Sequence, residues 1–153
     1  MISIGLLGCG RIGQVHARSI VASRRANLVA ISDAMPEAAN SLAEETGSAA
    51  RTVEQIFADD TIDAVIIGTP TDSHAAYIEA ASAAGKAVLC EKPLDLSADR
   101  IRACLANIKN SKTPFMIGFQ RRFDVNFANI QTRLRAGEIG DIELVTLTSR
   151  DPE

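Results

Sequence analysis

Short apolar runs alternate with longer segments of helical character along most of this chain, and this alternation constrains the fold more than any other feature of the sequence. Two of the runs, Ile2–Leu7 and Ala64–Ile67, are almost continuously apolar. Strands of that kind are typical of a parallel sheet that is covered on both faces. The alternation therefore predicts βαβ units and a doubly wound α/β fold with a parallel sheet.

The apolar periodicity also predicts where each element lies. Pro36 suits the first turn of a helix and Gly47 follows its last turn. Asp72 and Ser97 are suited to cap two further helices. The expected strands cover residues 2–7, 28–31, 64–67, 87–90 and 114–119. The expected helices cover residues 12–24, 36–46 and a stretch from Asp72 to Gly85, with one or two helical turns at 53–58, and the helix after Ser97 contains Ile101, Cys104, Leu105 and Ile108 on one face.

The character of the sequence changes after about residue 120. We therefore divide the chain into a complete doubly wound domain at 1–119 and the start of a second, α+β domain at 120–153. Residues 125–136 are predicted to form a helix, and 142–148 a strand with apolar side chains on both faces. Because an exposed strand edge is unfavourable, we expect this strand to pair with a second copy of the chain or to fold back on the first domain.

The charge and the cysteine content exclude several classes of protein. The net charge is −3, and no cluster of Lys and Arg offers the positive surface that nucleic acid or an anionic membrane requires. No apolar run approaches the roughly 18 residues of a membrane-spanning helix. The three cysteines lack the Cys-x-x-Cys spacing of zinc sites and favour a reducing compartment. We therefore expect a cytoplasmic protein without a metal site.

The first apolar strand is followed at once by Gly8-Cys9-Gly10-Arg11-Ile12-Gly13, a G-x-G-x-x-G sequence that opens a predicted helix. Glycines in this arrangement allow a tight turn, let a pyrophosphate approach the backbone and let the helix pack closely on the strand. The helix N-terminus offers unpaired N–H groups and a partial positive charge to phosphates. The motif alone is weak evidence, but its place between strand and helix favours a dinucleotide site.

Asp33 ends the second predicted strand, about 20 residues after Gly13, which is the spacing of the acid that binds the adenosine ribose. A carboxylate there accepts hydrogen bonds from the ribose hydroxyls and repels a 2′-phosphate. Ala34 follows at a position where an arginine could have bound that phosphate. The alternative is a turn or capping role, since Pro36 follows soon after. We predict a ribose contact and NAD rather than NADP as the cofactor.

Another loop leaves the carboxyl end of the predicted strand 64–67 and carries Thr69, Pro70 and His74. Ligands bind beyond the carboxyl ends of the strands in an open parallel sheet, so this loop is expected to face the cofactor. His74 contacts the cofactor in one interpretation, but a hydrogen bond within its own loop is the favoured role. His16, within the first helix, is expected to be structural.

The next strand is followed by Glu91-Lys92-Pro93, again at the carboxyl end. Adjacent Glu and Lys residues are often only a solvated pair. Their position beside the other two loops favours a role in the same crevice. A lysine there can hydrogen-bond a substrate hydroxyl and stabilise an alkoxide as hydride leaves the carbon. Lys92 is therefore the candidate catalytic residue.

Together these residues resemble the glucose–fructose oxidoreductase, inositol dehydrogenase and rhizopine catabolism (Gfo/Idh/MocA) family. The resemblance covers the whole chain. It is carried by the glycine motif, Asp33, G-T-P-T-D-S-H at 68–74, E-K-P at 91–93 and G-F-Q-R-R-F-D at 118–124. Within the family, the segments at 121–124 and 148–152 are most similar to inositol 2-dehydrogenases.

The resemblance implies that Lys92 lies beside the nicotinamide and assists proton transfer, and that the Lys92–Pro93 peptide bond is cis. It also implies that Arg121, or less readily Arg122, reaches a polyol substrate. The residues that we expect to contact NAD are Gly8, Gly10, Arg11, Ile12, Gly13, Asp33, Thr69, Pro70, His74, Glu91 and Lys92. The family pattern continues with an Asp and a His in a second domain that binds substrate and forms the oligomer interface. We therefore expect a homo-oligomer, and no turnover by residues 1–153 alone.

The leading hypothesis is NAD-dependent oxidation of a cyclic polyol, myo-inositol to 2-keto-myo-inositol. One alternative is a dehydrogenase for another sugar or polyol, and a second is an NAD-dependent glycosidase. The non-enzymatic alternative is a nucleotide-binding module in which Lys92 is only a dinucleotide contact.

Overall fold

The computed structural model describes residues 1–150 of the chain. These residues separate into two compact units, with the boundary between Gly118 and Phe119. The first unit contains a six-stranded sheet with the order β3-β2-β1-β4-β5-β6, and every pair of neighbouring strands is parallel. The strands are β1 Ile2–Leu7, β2 Ala26–Ser32, β3 Ala49–Ala50, β4 Ala64–Ile67, β5 Ala87–Cys90 and β6 Phe115–Ile117. The helices of this unit are α1 Arg11–Val21, α2 Pro36–Thr46, α3 Val53–Ala58, α4 Thr71–Ala83 and α5 Ala98–Ile108.

Helices cover both faces of the sheet, because successive strand residues point to opposite sides. Leu6 belongs to the core that packs under α1 and α2, whereas Leu7 belongs to the core under α3, α4 and α5. Ile66 and Ile67 of β4 divide in the same way. This double burial explains why the strands are almost continuously apolar, and it confirms the predicted doubly wound α/β fold.

Local sequence signals account for most of the helix ends. Helix α2 begins at Pro36, and Gly47 ends it with a left-handed φ of 70°. The Ser97 hydroxyl caps α5 by accepting a hydrogen bond from the N–H of Arg100. The prediction for Asp72 was wrong. Helix α4 starts one residue earlier, at Thr71 after Pro70, and has no side-chain cap, so Asp72 lies inside its first turn.

Tertiary pairing changed the bounds of several predicted elements. β2 extends over Ala26–Ser32 because it pairs with β1 along that strand's whole length. Strand β6 is shorter than predicted and pairs with β5 only at Phe115–Ile117. The two-residue strand β3 was not predicted, since it is defined only by its pairing with Ala30 and Ile31.

The second unit begins with a 3₁₀ turn at Gln120–Arg122, followed by helix α6 at Val125–Arg135. The predicted helix is thus confirmed, and the Asp124 carboxylate caps it by accepting the N–H groups of Asn126 and Phe127. Residues 142–148 form no strand within this single chain, in contrast to the prediction. Their apolar side chains are exposed, and no strand within the described part of this unit is available to pair with their backbone. Pairing with a second copy of the chain stays a prediction. Residues 151–153, which include part of the closing segment used for the resemblance, lie outside the described residues.

None of the helices within residues 1–150 is long and apolar enough to cross a membrane. The three cysteines are all buried and free. Burial, and to a smaller extent the negative charge of Asp33, raises the pKa of the Cys9 thiol to about 12. Burial and the nearby Glu91 raise the pKa of Cys90 to about 12 as well.

We predict that these thiols do not react with an alkylating reagent in the folded protein at neutral pH. Only the thiolate is nucleophilic, and burial suppresses both ionisation and access. Mass spectrometry after a short exposure to iodoacetamide should find no modified cysteine, whereas the denatured chain should be modified at all three. A cysteine that reacts in the folded chain as fast as in the denatured chain would contradict the burial described here.

Candidate functional site

The glycine loop between β1 and α1 has the geometry of a phosphate-binding turn. Gly8 has a φ of +99°, and a Cβ atom there would lie 2.6 Å from the carbonyl oxygen of Gly68. A Cβ atom at Gly13 would lie 1.9 Å from the carbonyl oxygen of Gly8. Both positions therefore require glycine. At Gly10 a Cβ atom would meet nothing within 4 Å, so this residue leaves open space beside the N-terminus of α1.

That open space belongs to a cleft of about 1100 Å³ at the carboxyl ends of β1, β2 and β4. Helix α1 begins after Gly10 without a side-chain cap. Its first N–H groups are consequently free to bind an anion, and the helix dipole favours negative charge at this end. Seven of the predicted cofactor contacts line the cleft: Gly8, Gly10, Arg11, Ile12, Asp33, Thr69 and Pro70. The open cradle at Gly10 and the acid of Asp33 in the same cleft fit a dinucleotide.

Asp33 lies at the end of β2, where its carboxylate faces both the cleft and the glycine loop. Its Oδ2 accepts the N–H of Cys9 at 2.6 Å, and its Oδ1 accepts the N–H of Met35 at 2.9 Å. The turn role that the sequence left open is therefore real. A carboxylate has about four lone-pair positions, so after these two bonds it can still accept hydrogen bonds from a ribose.

His74, Glu91, Lys92 and Gly13 are predicted site residues that do not line the cleft. His74 is buried, with 2% of its surface exposed. Its Nε2 lies 2.8 Å from the carbonyl oxygen of Thr69, and its Nδ1 lies 2.7 Å from that of Pro93. The favoured prediction of a hydrogen bond within its own loop agrees with the first contact. The second contact joins the Thr69 loop to the segment after β5.

Glu91 and Lys92 have different surroundings, although they are adjacent. The Glu91 carboxylate lies 2.8 Å from His16 Nε2, so the histidine expected to be structural has a partner at the site. The Lys92 side chain is exposed. The Lys92–Pro93 peptide bond is cis, as the resemblance implies.

Arg121 belongs to the second unit, where its guanidinium lies over the ring of Phe127 at 5.3 Å from the ring centre. This is a cation–π contact within the unit. Its assignment to the substrate remains a prediction.

Sequence reasoning missed the contribution of the β3–α3 loop, including Arg51 and Thr52, to the wall of the cleft. Arg51 binds the carboxylate of Asp59. Hydrogen bonds from the hydroxyl and N–H of Thr61, with Arg51 adding to them, lower the pKa of Asp59 to about 2. No sequence signal marks Arg51, since its place depends on the two-residue strand β3.

Comparison with known proteins agrees with this geometry. The model of the Gfo/Idh/MocA oxidoreductase family, described as having an NAD-binding Rossmann fold, matches residues 2–119. The chain belongs to this family. The family description confirms the fold and the cofactor, NAD, that the glycine loop and Asp33 predicted.

One relative in sequence and two solved structures illustrate the relationship. The inositol 2-dehydrogenase of Rhizobium meliloti is 50% identical over 151 residues, which are 99% of this chain and 46% of that protein. The scyllo-inositol dehydrogenase of Lactobacillus casei, solved with bound NAD(H) and scyllo-inositol, superposes with a TM-score of 0.85 at 32% identity, covering 92% of this chain and 43% of that one. The myo-inositol dehydrogenase of Corynebacterium glutamicum gives a TM-score of 0.86 at 43% identity, with the same two coverages. The chain thus spans a little under half the length of these relatives.

The glycine loop allows a matched pair of substitutions. We predict that Gly10→Ala leaves thermal stability nearly unchanged, because the methyl group points into open space. It should weaken NAD binding about tenfold or more, since the pyrophosphate then loses hydrogen bonds worth roughly 1.5–3 kcal/mol. Gly13→Ala should instead destabilise the fold by about 1–3 kcal/mol or more, because its methyl group meets backbone. Calorimetry and thermal unfolding measure the two effects, and equal behaviour of the two variants would contradict this geometry.

Proposed function

We propose that this chain supplies the NAD-binding half of a dehydrogenase that oxidises a cyclic polyol, myo-inositol to 2-keto-myo-inositol, by hydride transfer. The observation that carries the proposal is the contact of His74 with both Thr69 and Pro93, at 2.8 Å and 2.7 Å. It connects the wall of the cleft to the residue beside Lys92. A cofactor in the cleft and the Lys92 ammonium group near it would supply two of the components that oxidation of a hydroxyl requires, and the proton acceptor would come from the second domain.

Each part of the cleft has a role in holding the cofactor. Asp33 would bind the adenosine ribose, and the N–H groups after Gly10 would bind the pyrophosphate. The loop with Thr69 and Pro70 and the segment from Glu91 to Lys92 would border the nicotinamide end. Bound NAD supplies the hydride acceptor.

Lys92 would hold the substrate hydroxyl at its Nζ and stabilise the negative charge that develops on that oxygen as its proton passes to a base, the histidine that the family pattern places in the second domain, and the hydride leaves the carbon. A cation next to the developing alkoxide lowers the energy of the transition state more than that of the ground state. Arg121 would bind other hydroxyl groups of the polyol. We assign residues 1–119 to the NAD-binding domain and 120–153 to the start of the substrate and oligomerisation domain, in a homo-oligomer.

Asp33 tests the choice of cofactor. We predict that Asp33→Asn weakens NAD binding by roughly 1–3 kcal/mol, the value of a hydrogen bond to a charged group. NADP binding should fall less, because the substitution also removes the charge that repels the 2′-phosphate. The retained amide oxygen still accepts one of the two backbone N–H groups. Calorimetric titrations with both cofactors provide the comparison, and equal losses would show that Asp33 serves only the turn.

Lys92 tests the chemistry. The assay uses a chimera of residues 1–119 with the C-terminal part of the Rhizobium meliloti relative, which is 50% identical over the shared region. We predict that Lys92→Ala lowers kcat by about 10²–10⁴-fold, the usual contribution of a positioned proton-transfer group, while NAD affinity stays similar. Lys109→Ala, at the end of α5, is the control and should leave kcat unchanged. Near-normal turnover by Lys92→Ala would show that Lys92 is only a solvated surface residue without a role in the reaction.

The same chimera tests the reaction through the rate of NADH formation with a panel of substrates. Oxidation of myo-inositol, scyllo-inositol or glucose supports hydride transfer from a polyol to the NAD that this domain binds, and the relative's second domain sets which of the three is preferred. Glycoside cleavage without net NADH formation would favour the glycosidase, and NAD binding without any turnover would favour a nucleotide-binding module.

A further inference from the structure

The sequence contains two histidines, and both bind the segment Glu91-Lys92-Pro93. His16, from α1, contacts the residue before Lys92, and His74, from α4, contacts the residue after it. These helices belong to opposite faces of the sheet. The segment is therefore held from two sides, with Lys92 between the two contacts.

The contact before Lys92 confines the Glu91 side chain. Its carboxylate lies 2.8 Å from His16 Nε2, and the exposed fractions of the two side chains are only 14% and 20%. A Cβ atom at Gly118 would lie 3.1 Å from the same carboxylate oxygen, so glycine at the end of β6 makes room for it. The Glu91 backbone N–H is bound to the carbonyl oxygen of Ile67 at 2.9 Å. Backbone and side chain of Glu91 are both fixed.

The contact after Lys92 fixes the backbone through the Pro93 carbonyl. This oxygen lies 2.7 Å from His74 Nδ1, while His74 Nε2 lies 2.8 Å from the carbonyl oxygen of Thr69. A carbonyl oxygen can only accept hydrogen bonds. A neutral imidazole, which has one N–H, can make either bond, and an imidazolium makes both. Whichever form is present, the bond to Pro93 requires a proton on Nδ1.

The Lys92 side chain itself is exposed. A lysine side chain has many rotamers, and ordering it is costly. The place of its ammonium group therefore depends chiefly on the backbone that carries it.

We propose that His16 and His74 are positioning residues that fix the backbone on both sides of Lys92 and so keep its ammonium group at the rim of the cleft. This inference rests on the proposed function of Lys92.

The two histidines bind through different nitrogens, which allows a crossed set of amide substitutions. The amide nitrogen of Asn lies as many bonds from Cα as Nδ1 of His, and that of Gln as many as Nε2. His16→Gln and His74→Asn should therefore keep the contacts to Glu91 and Pro93. His16→Asn and His74→Gln should lose them.

The position of Lys92 is measured in this chain by its rate of acetylation, read by mass spectrometry with and without saturating NAD. Lys109 and Lys112 serve as internal references, and calorimetry gives the NAD affinity of each variant. In the wild type, bound NAD should slow the acetylation of Lys92 only. His16→Asn and His74→Gln should reduce this protection by about two- to tenfold, the value of one hydrogen bond, at unchanged NAD affinity. His16→Gln and His74→Asn should retain it.

Ile78→Val is the control for general destabilisation, because Ile78 is a fully buried residue of α4 outside the segment. It should lower Tm and leave the protection intact. Protection that is the same in all four histidine variants, or that follows Tm and falls in Ile78→Val as well, would overturn the inference. Failure of NAD to bind the wild type, or to protect Lys92 in it, would instead contradict the proposed function.

Discussion

Helix α1 approaches the loop after β1 so closely that a Cβ atom at Gly13 would lie 1.9 Å from the carbonyl oxygen of Gly8. The loop in turn touches the backbone of Gly68 beyond β4. Three segments thus meet through backbone alone, and only glycine permits this. The contact places the first N–H groups of α1 beside the open space at Gly10. The cleft, the place of Asp33 and the entry for phosphate all depend on this approach.

The order of the strands places the glycine loop at the edge of the sheet where a ligand can bind. Because β1 pairs in parallel with both β2 and β4, the carboxyl ends of all three strands lie at one edge of the sheet. The chain leaves β1 and β2 toward α1 and α2 on one face of the sheet, and it leaves β4 toward α4 on the other. A crevice at this reversal is where ligands bind in open α/β sheets. Strand β5 extends the same edge and brings Lys92 to it.

Several side chains predicted to contact the ligand also hold the loops together. Asp33 binds two backbone N–H groups, Glu91 is paired with His16, and His74 joins two loops through their carbonyl oxygens. A buried polar group that loses its partner costs about 1–3 kcal/mol. These loops consequently have few alternative arrangements. Loops held by such bonds in the absence of a cofactor need less ordering when one binds.

The sequence by itself determined the doubly wound fold, the glycine loop, the position of Asp33 at the end of β2 and the helix ends at Pro36 and Gly47. These features depend on periodicity, backbone conformation or fixed spacing, and a short stretch of sequence is enough to specify each of them. Only the tertiary structure decided that Arg51 lines the cleft, that the 142–148 segment forms no strand, and that both histidines flank Lys92. Strand pairing and side-chain contacts of this kind join residues far apart in the chain, and their energies depend on a partner that the local sequence does not specify.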